Sequence, residues 1–423
     1  MEKIKVLHSA DLHIDSPLHG LVNYDGSPFD DVKVATRTAF KSLVSVAIER
    51  KTDLVLIAGD LYDGDWKDYN TGLFVISQLA ELDANNIKVV IVQGNHDAES
   101  QLTKKLRFPP NTKLLDAKEP DSCVFDDLGV VVHGQSYLER SIKADMAAGY
   151  PKGDPGLINI GMLHTCFDGA PGHAPYAPCN LDTLKSKRYD YWALGHVHKR
   201  RIIDNDPYIV FPGNLCGRHI LETGPKGAVL VTFEDQEPFL EELTIADVQW
   251  EHCHIDISGV KSFDDCLLRC EQEMAAVCTD SHKTYALRIE FTGLTPLAGM
   301  LQERITDLTN EVRSASLNHH GSQIWIEKVK VSAHSDATSP ILTNKDLLSE
   351  LDNIAAELKS NLGNLLSENE ELSHLNALRN QVHAIGKEEF DTFFDEEHLL
   401  QMTDDALTML SSIFNAQGQN HEN

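Results

Sequence analysis

The chain has 423 residues, 42% of them hydrophobic and 7% aromatic, and a formal charge of −28. That length exceeds what one hydrophobic core organises, so two or three domains are expected. The acidity argues against a protein that coats nucleic acid unaided, and no apolar run approaches the roughly 18 residues of a membrane-spanning helix.

The N-terminal MEK leads directly into the strand-like IKVLHSA, which leaves no room for a signal peptide and implies a cytoplasmic protein. The helix-like TRTAFKSLVSVAIERK, the apolar DLVLIAG, the helix-like TGLFVISQLAELDANN and the apolar KVVIVQG follow in turn. This alternation predicts an α/β layered fold. GVVVHGQ, INIGMLH and YWALGHV are further core strands, and GAVLVTFED and PFLEELTI read as strands of a covering sheet. Residues 1–248 form this first domain. In residues 249–335, strand-like HCHIDIS, YALRIEFTG and QIWIEKVKVS alternate with two helix-like segments, giving a small α/β cap. Cys266 and Cys270 sit one helical turn apart there, and none of the eight cysteines forms a C-x-x-C pair, so free thiols are expected. Residues 340–423 hold 16 acids against 4 bases. Leu347, Leu351, Ile354, Leu358, Leu362 and Leu365 form one apolar stripe at helical spacing, and Leu372, Leu375, Leu378, Val382 and Ile385 form another. A helical C-terminal region is expected, either packed on its own chain or docking a partner helix.

Five segments place possible ligands just after an apolar run: DLH (Asp11, His13), GD (Asp60), GNHD (Asn95, His96), LHT (His164) and GHVH (His196, His198). Each is weak alone, but the ordered set is specific. In parallel α/β sheets, loops distant in sequence converge at the carboxyl ends of the strands. Imidazole, carboxylate and amide donors without a thiolate suit divalent ions such as Mn, Fe or Zn. A shared carboxylate such as Asp60 can hold two such ions roughly 3.5–4 Å apart, the arrangement that clamps the oxygens of an in-line phosphoryl displacement.

LHSADLHIDSPLHGL, AGDLYDG, QGNHD, DYWALGHVH and FPGNLCGRHILETGPKG resemble the calcineurin-like metallophosphoesterases, and within them the SbcD-type DNA exonucleases of the YhaO branch. The motif match covers about residues 4–227. The resemblance implies a metallophosphoesterase-type β-sandwich flanked by helices, with two divalent metals, most readily Mn, with Fe, Zn or Mg as alternatives. It implies that Asp11, His13 and His198 hold one metal, that Asn95, His164 and His196 hold the other, and that Asp60 bridges them. His96 would be the catalytic histidine that is not a ligand, protonating the leaving oxygen, and Asp63 would orient it. DNA, an SbcC-like coiled-coil ATPase and a second copy of the chain are the implied partners. The first motif departs from the SbcD pattern: Leu12 stands where Trp is usual, and Asp15 adds an acid.

His8 and His133 lie on apolar strand faces and read as satisfied core histidines. Lys104, Lys105 and Arg107 follow GNHD, and Lys199, Arg200 and Arg201 follow GHVH. With Arg218 and His219 these are the candidate phosphate contacts, since phosphate contacts carry most nucleic-acid affinity. Two other functions fit the same residues: a phosphoesterase for small nucleotides or phosphoproteins, and a metal-binding subunit without activity.

Overall fold

In the computed structural model, strand β1 (Ile4–Ser9), helix α1 (Ala35–Glu49), β2 (Leu54–Ala58), α2 (Tyr69–Ala84) and β3 (Lys88–Val92) alternate as the sequence pattern predicts. Strands β4 (Thr112–Leu114), β5 (Asp121–Phe125), β6 (Val130–Gly134) and β7 (Ile158–His164) follow, then α3 (Leu181–Ser186) and β8 (Tyr191–Gly195). Two hairpins complete this part: β9 (Arg201–Asn205) with β10 (Tyr208–Phe211), and β11 (Gly227–Glu234) with β12 (Glu237–Thr244). The structure describes residues 3–16, 18–21, 24, 27, 28, 32, 34–63, 69–99, 107–167, 176–317 and 323–335, with 356, 401, 404 and 405 in the tail. The Leu stripes of residues 340–423 therefore lie outside the described residues.

The strands form two six-stranded sheets, β12-β11-β1-β2-β3-β4 and β5-β6-β7-β8-β10-β9. Strands β1 to β4 are parallel to one another, as are β6, β7, β8 and β10, and β5, β9, β11 and β12 each pair antiparallel with their neighbours. Residue alternation explains the layering. Val6, Leu54, Leu56, Val90 and Val92 pack against Val132, Ile160, Met162 and Ala193 of the other sheet. Their neighbours Leu7, Val55, Ile57, Val89 and Ile91 face the opposite way, onto Ala39, Phe40, Leu43 and Ala47 of α1. A strand buried on both faces has no polar register, which is why β2 and β3 read as unbroken apolar runs. On the far side of the second sheet, Leu163, Trp192 and Phe211 pack with Tyr150, Leu184 and Tyr189. Strands β4, β5, β9 and β10 have no counterpart among the sequence expectations. Each is five residues or fewer, and β4, β5 and β9 are only partly buried, too short and too polar to show a period.

The chain divides into two compact units. The first comprises Met1–His252, Cys278–Leu287 and His319–Glu327, and the second Cys253–Val277, Arg288–Asn318 and Lys328–Asn423. Strands β13 (Val248–Asp256), β14 (Thr284–Thr292) and β15 (Gln323–Val331) each begin in the first unit and end in the second. The second unit carries α4 (Phe263–Val277), α5 (Ala298–Glu303) and α6 (Ile305–Leu317). The sequence suggests one helix where α5 and α6 stand; the chain interrupts it at Arg304, which leaves helical geometry. Cys266 and Cys270 are buried on α4, and none of the eight cysteines is in a disulfide.

His8 and His133 are satisfied core residues. His133 pairs with Ser122 Oγ at 2.8 Å and stacks on Tyr189. His8 bridges the two sheets: Nδ1 lies 2.9 Å from Tyr191 Oη and Nε2 3.2 Å from the Leu194 carbonyl. The carbonyl needs a proton on Nε2, so Nδ1 accepts from the tyrosine. Burial pushes the His8 pKa down to about 3, partly opposed by the Leu194 carbonyl. An unfolded chain protonates this ring near pH 6.5 while the folded one keeps it neutral, so the contribution of His8 is present above pH 6.5 and is lost as pH falls. His8→Gln is expected to flatten the fall of Tm between pH 7 and pH 5; an unchanged slope would contradict this account of His8.

Candidate metal centre

Five parallel strands deliver the candidate ligands to one edge of the sandwich. Asp11 and His13 follow β1, Asp60 follows β2, Asn95 and His96 follow β3, His164 closes β7, and His196 and His198 follow β8. The backbone there is left-handed at Asp11 (φ 50°), His13 (φ 44°), Asp60 (φ 50°) and His196 (φ 100°). For residues with a Cβ this costs about 1–3 kcal/mol each and persists only where neighbours enforce it. The enforcing contacts are backbone bonds from Asp11 N to Gly59 O (3.0 Å), His13 N to Asp60 O (3.0 Å) and Ile14 N to Leu61 O (3.1 Å). Two glycines make the close approach possible. A Cβ on Gly59 would strike the His164 ring, and one on Gly195 would strike the Ala58 carbonyl.

The side chains of these loops converge. His13 Nε2 lies 3.3 Å from His198 Nε2 and 3.8 Å from Asp60 Oδ2. His164 Nε2 lies 2.9 Å from Asn95 Oδ1 and 3.3 Å from the same Asp60 oxygen. Asp11 accepts from the His196 backbone N–H at 3.0 Å, and its Oδ1 is 3.9 Å from His198 Nε2. The His196 ring packs edge-on to His164, with centroids 5.2 Å apart. Two compact donor sets result, Asp11–His13–His198 and Asp11–Asp60–His164, each with its ligand atoms within 4.8 Å of one another.

The proton inventory tests whether cations fit. His164 Nδ1 faces the Ala58 carbonyl at 3.0 Å and therefore carries a proton. In the neutral ring, Nε2 then points a lone pair at two acceptor oxygens. His198 repeats the pattern: Nδ1 donates to Glu222 Oε1 at 2.5 Å, so the Nε2 lone pair faces His13 Nε2. Inward lone pairs and carboxylates leave room for protons or cations, and this nitrogen–oxygen set suits divalent metals. Without a metal, the cluster holds protons instead. Burial opposes charge on His164, but Asp60 and Asp11 push its pKa up to about 9. Burial likewise opposes ionisation of Asp60, yet the His164, His13 and His96 imidazoles hold it below the usual carboxylate range.

His96 stands beside this set. Its backbone N–H donates to Asp60 Oδ1 at 3.0 Å, and its Nδ1 lies 3.0 Å from Asp63 Oδ1. Asp63 also lies 3.6 Å from His13 Nδ1 and accepts from Ser16 Oγ at 2.7 Å. Two further residues support the centre without having been picked out from sequence. Asp97, buried, accepts from the N–H groups of Leu61, Tyr62 and Gly94 and so ties the GDLYDG loop to the GNHD loop. Glu222, buried, holds His198 and also accepts from Asn214 Nδ2 (2.9 Å) and the Arg218 backbone N–H (2.7 Å). The acid of GNHD and the only acid within GRHILETG were the available signals, but neither ends an apolar run.

The basic residues separate into different environments. Arg200 braces the sheet: its guanidinium pairs with Glu242 and donates to the Leu243 carbonyl at 2.9 Å. It therefore does not stand as an open phosphate contact, contrary to the sequence expectation. Lys199 and Arg201 are exposed, with no ion pair among the described residues, and line a cavity beside His196 and His198. Arg218 is buried against Asp63 and Glu222, and His219 Nε2 lies 3.6 Å from Glu222 Oε1. Arg107 is exposed, and Lys104 and Lys105 lie outside the described residues.

Residues 4–200 match the family model of the calcineurin-like phosphoesterases. Residues 4–200 therefore carry a calcineurin-like phosphoesterase domain. Residues 250–334 match the middle domain of metallophosphoesterase YhaO. The chain is 33% identical over 260 residues to metallophosphoesterase YhaO of Bacillus subtilis (strain 168), a match spanning 60% of this chain and 64% of that one. It is 25% identical over 283 residues to the DNA double-strand break repair protein Mre11 of Methanocaldococcus jannaschii, covering 63% of this chain and 73% of that protein. Among solved structures it is similar to a dimetal phosphatase from Danio rerio, at 10% identity and a TM-score of 0.32, over 57% of this chain and 98% of that one. The family implies divalent metal ions, and the donor sets described above fit them.

If Glu222 fixes the His198 tautomer, its removal should loosen a ligand without deleting one. Glu222→Ala is expected to weaken metal affinity about 10–100-fold, read by manganese titration of the metal-free protein. Wild-type affinity would show that Glu222 does not support His198.

Proposed function

We propose that this chain is a two-metal phosphodiesterase that trims DNA ends, using manganese and working with an SbcC-like coiled-coil ATPase. One observation carries the choice of substrate: the donor cluster adjoins a cavity with a cationic rim. The cavity, about 630 Å³, is lined by His196, His198, Phe167, Phe211, Lys199 and Arg201 among others. Exposed cations beside the ligand loops, without an ion pair among the described residues, are what a polyanion needs in a chain of charge −28. Likeness to a DNA double-strand break repair protein supports the same reading. An ATPase partner would supply the wider grip on DNA that so acidic a chain lacks.

In this reading Asp11, His13 and His198 hold one cation, Asn95, His164 and His196 hold the other, and Asp60 is shared. The cations, when bound, supply the Lewis-acid charge that offsets the phosphate oxygens. The chain's own contribution to proton transfer is His96. Burial alone would lower its pKa, but Asp63 and Asp60 outweigh burial and raise it. Asp63 accepts from Nδ1, leaving the Nε2 proton for the leaving oxygen. Donation by a positioned acid of this kind is worth about 10²–10⁴ in rate.

The test is manganese-dependent digestion of end-labelled linear DNA, run beside hydrolysis of a small chromogenic phosphodiester. His96→Ala is expected to keep its metals and lose about 10²–10⁴ in kcat on both substrates. If the chromogenic ester is cut and DNA stays intact, even with the ATPase present, the substrate is a small nucleotide or phosphoprotein. If metal-loaded wild type cuts neither, the chain is a binding subunit.

A further inference from the structure

Arg218 lies in the segment after β10, and its side chain is only 10% exposed. Its backbone is pinned at both ends of the residue: the N–H donates to Glu222 Oε2 at 2.7 Å, and the carbonyl accepts from His19 N at 2.9 Å. The guanidinium reaches in two directions. Nη1 lies 3.7 Å from Asp63 Oδ2 and 3.4 Å from Ser16 Oγ. Nη2 lies 3.4 Å from Glu222 Oε1 and 3.4 Å from His198 Nδ1. Nε is buried and has no hydrogen-bond partner among the described residues. Only the two ends of the fork are therefore engaged.

The two carboxylates are not equivalent bystanders. Asp63 comes from the loop after β2 and holds His96 Nδ1 at 3.0 Å, while Glu222 comes from the segment after β10 and holds His198 Nδ1 at 2.5 Å. The Glu222 side chain is 6% exposed and that of Asp63 28%, so the negative charge of each is only partly screened by water and gains from a cation beside it. One planar guanidinium can face both anions at once, whereas an ammonium is a point charge that serves one.

We propose that Arg218 is a positioning residue, the shared counter-ion that keeps Asp63 and Glu222 in place so that His96 and His198 are oriented by a single cation. This rests on the roles assigned above to His96 and His198. It differs from a phosphate contact, for which the donors would face the cavity and not two carboxylates already bound to histidines.

Arg218→Met and Arg218→Lys test it, with the chromogenic phosphodiester as substrate, manganese titration for affinity, and ring ¹⁵N NMR of His198 in the metal-free protein. Arg218→Met is expected to lower kcat about 100-fold with KM nearly unchanged. It should also weaken metal binding about tenfold and move the His198 ring signals, with Arg218→Lys restoring part of each. A raised KM at wild-type kcat would make Arg218 a substrate contact and overturn the proposal. So would unchanged kcat, affinity and ring signals. Should Arg218→Met not fold, Arg218→Lys decides alone: lowered kcat at unchanged KM supports the proposal, and wild-type kcat overturns it. If His96→Ala retains activity, the role of His96 falls. Arg218 is then judged by the His198 signals and metal affinity alone.

Discussion

A buried carboxylate enclosed by imidazoles is the interaction on which the rest of this structure depends. Asp60 sits between His13 and His164, less than 4 Å from a ring nitrogen of each, with essentially no contact with solvent. In a low-dielectric interior such a group is tolerable only if charge of the opposite sign is supplied around it. The two apolar sheets make the medium, the strand ends bring in the imidazoles, and the outward carbonyl of Ala58 and carboxylate of Glu222 turn His164 and His198 so that their free nitrogens face inward. Left-handed backbone at four of the ligand positions is the local strain that this arrangement stores.

Much of this was legible in the sequence because the fold and the site share one signal. An apolar run long enough to be buried on both faces marks a parallel strand, and the polar residue that ends it is presented at the sheet edge. GD, GNHD and GHVH announced Asp60, Asn95, His96, His196 and His198 in this way, and the structure brings all of them together with Asp11, His13 and His164. The glycines of those motifs were visible too, but only the structure gives their reason: Gly59 and Gly195 pass so close to His164 and Ala58 that no side chain fits.

What stayed hidden has a common cause. Glu222 and Asp97 act through hydrogen bonds that cross between loops, and no periodicity encodes a partner 24 residues away, as Glu222 is from His198, or 36 residues away, as Asp97 is from Leu61. Arg200 shows the converse. It follows GHVH as Lys199 and Arg201 do, yet its side chain turns inward to the Leu243 carbonyl, which a count of basic residues cannot reveal. The short strands β9 and β10 escaped notice for lack of length, although they end the second sheet and themselves carry the cavity-lining residues Arg201 and Phe211. Charge reads the same way: the total of −28 describes the chain as a whole, while the cations that matter are placed one by one.

The central claim is that the five loops hold two cations around Asp60. It is tested most directly by anomalous X-ray diffraction at the manganese edge from crystals of the manganese-loaded protein. The account predicts two anomalous peaks flanking Asp60, one next to Asp11, His13 and His198 and the other next to Asn95, His164 and His196. A single peak, or none at these residues in metal-saturated crystals, would contradict it.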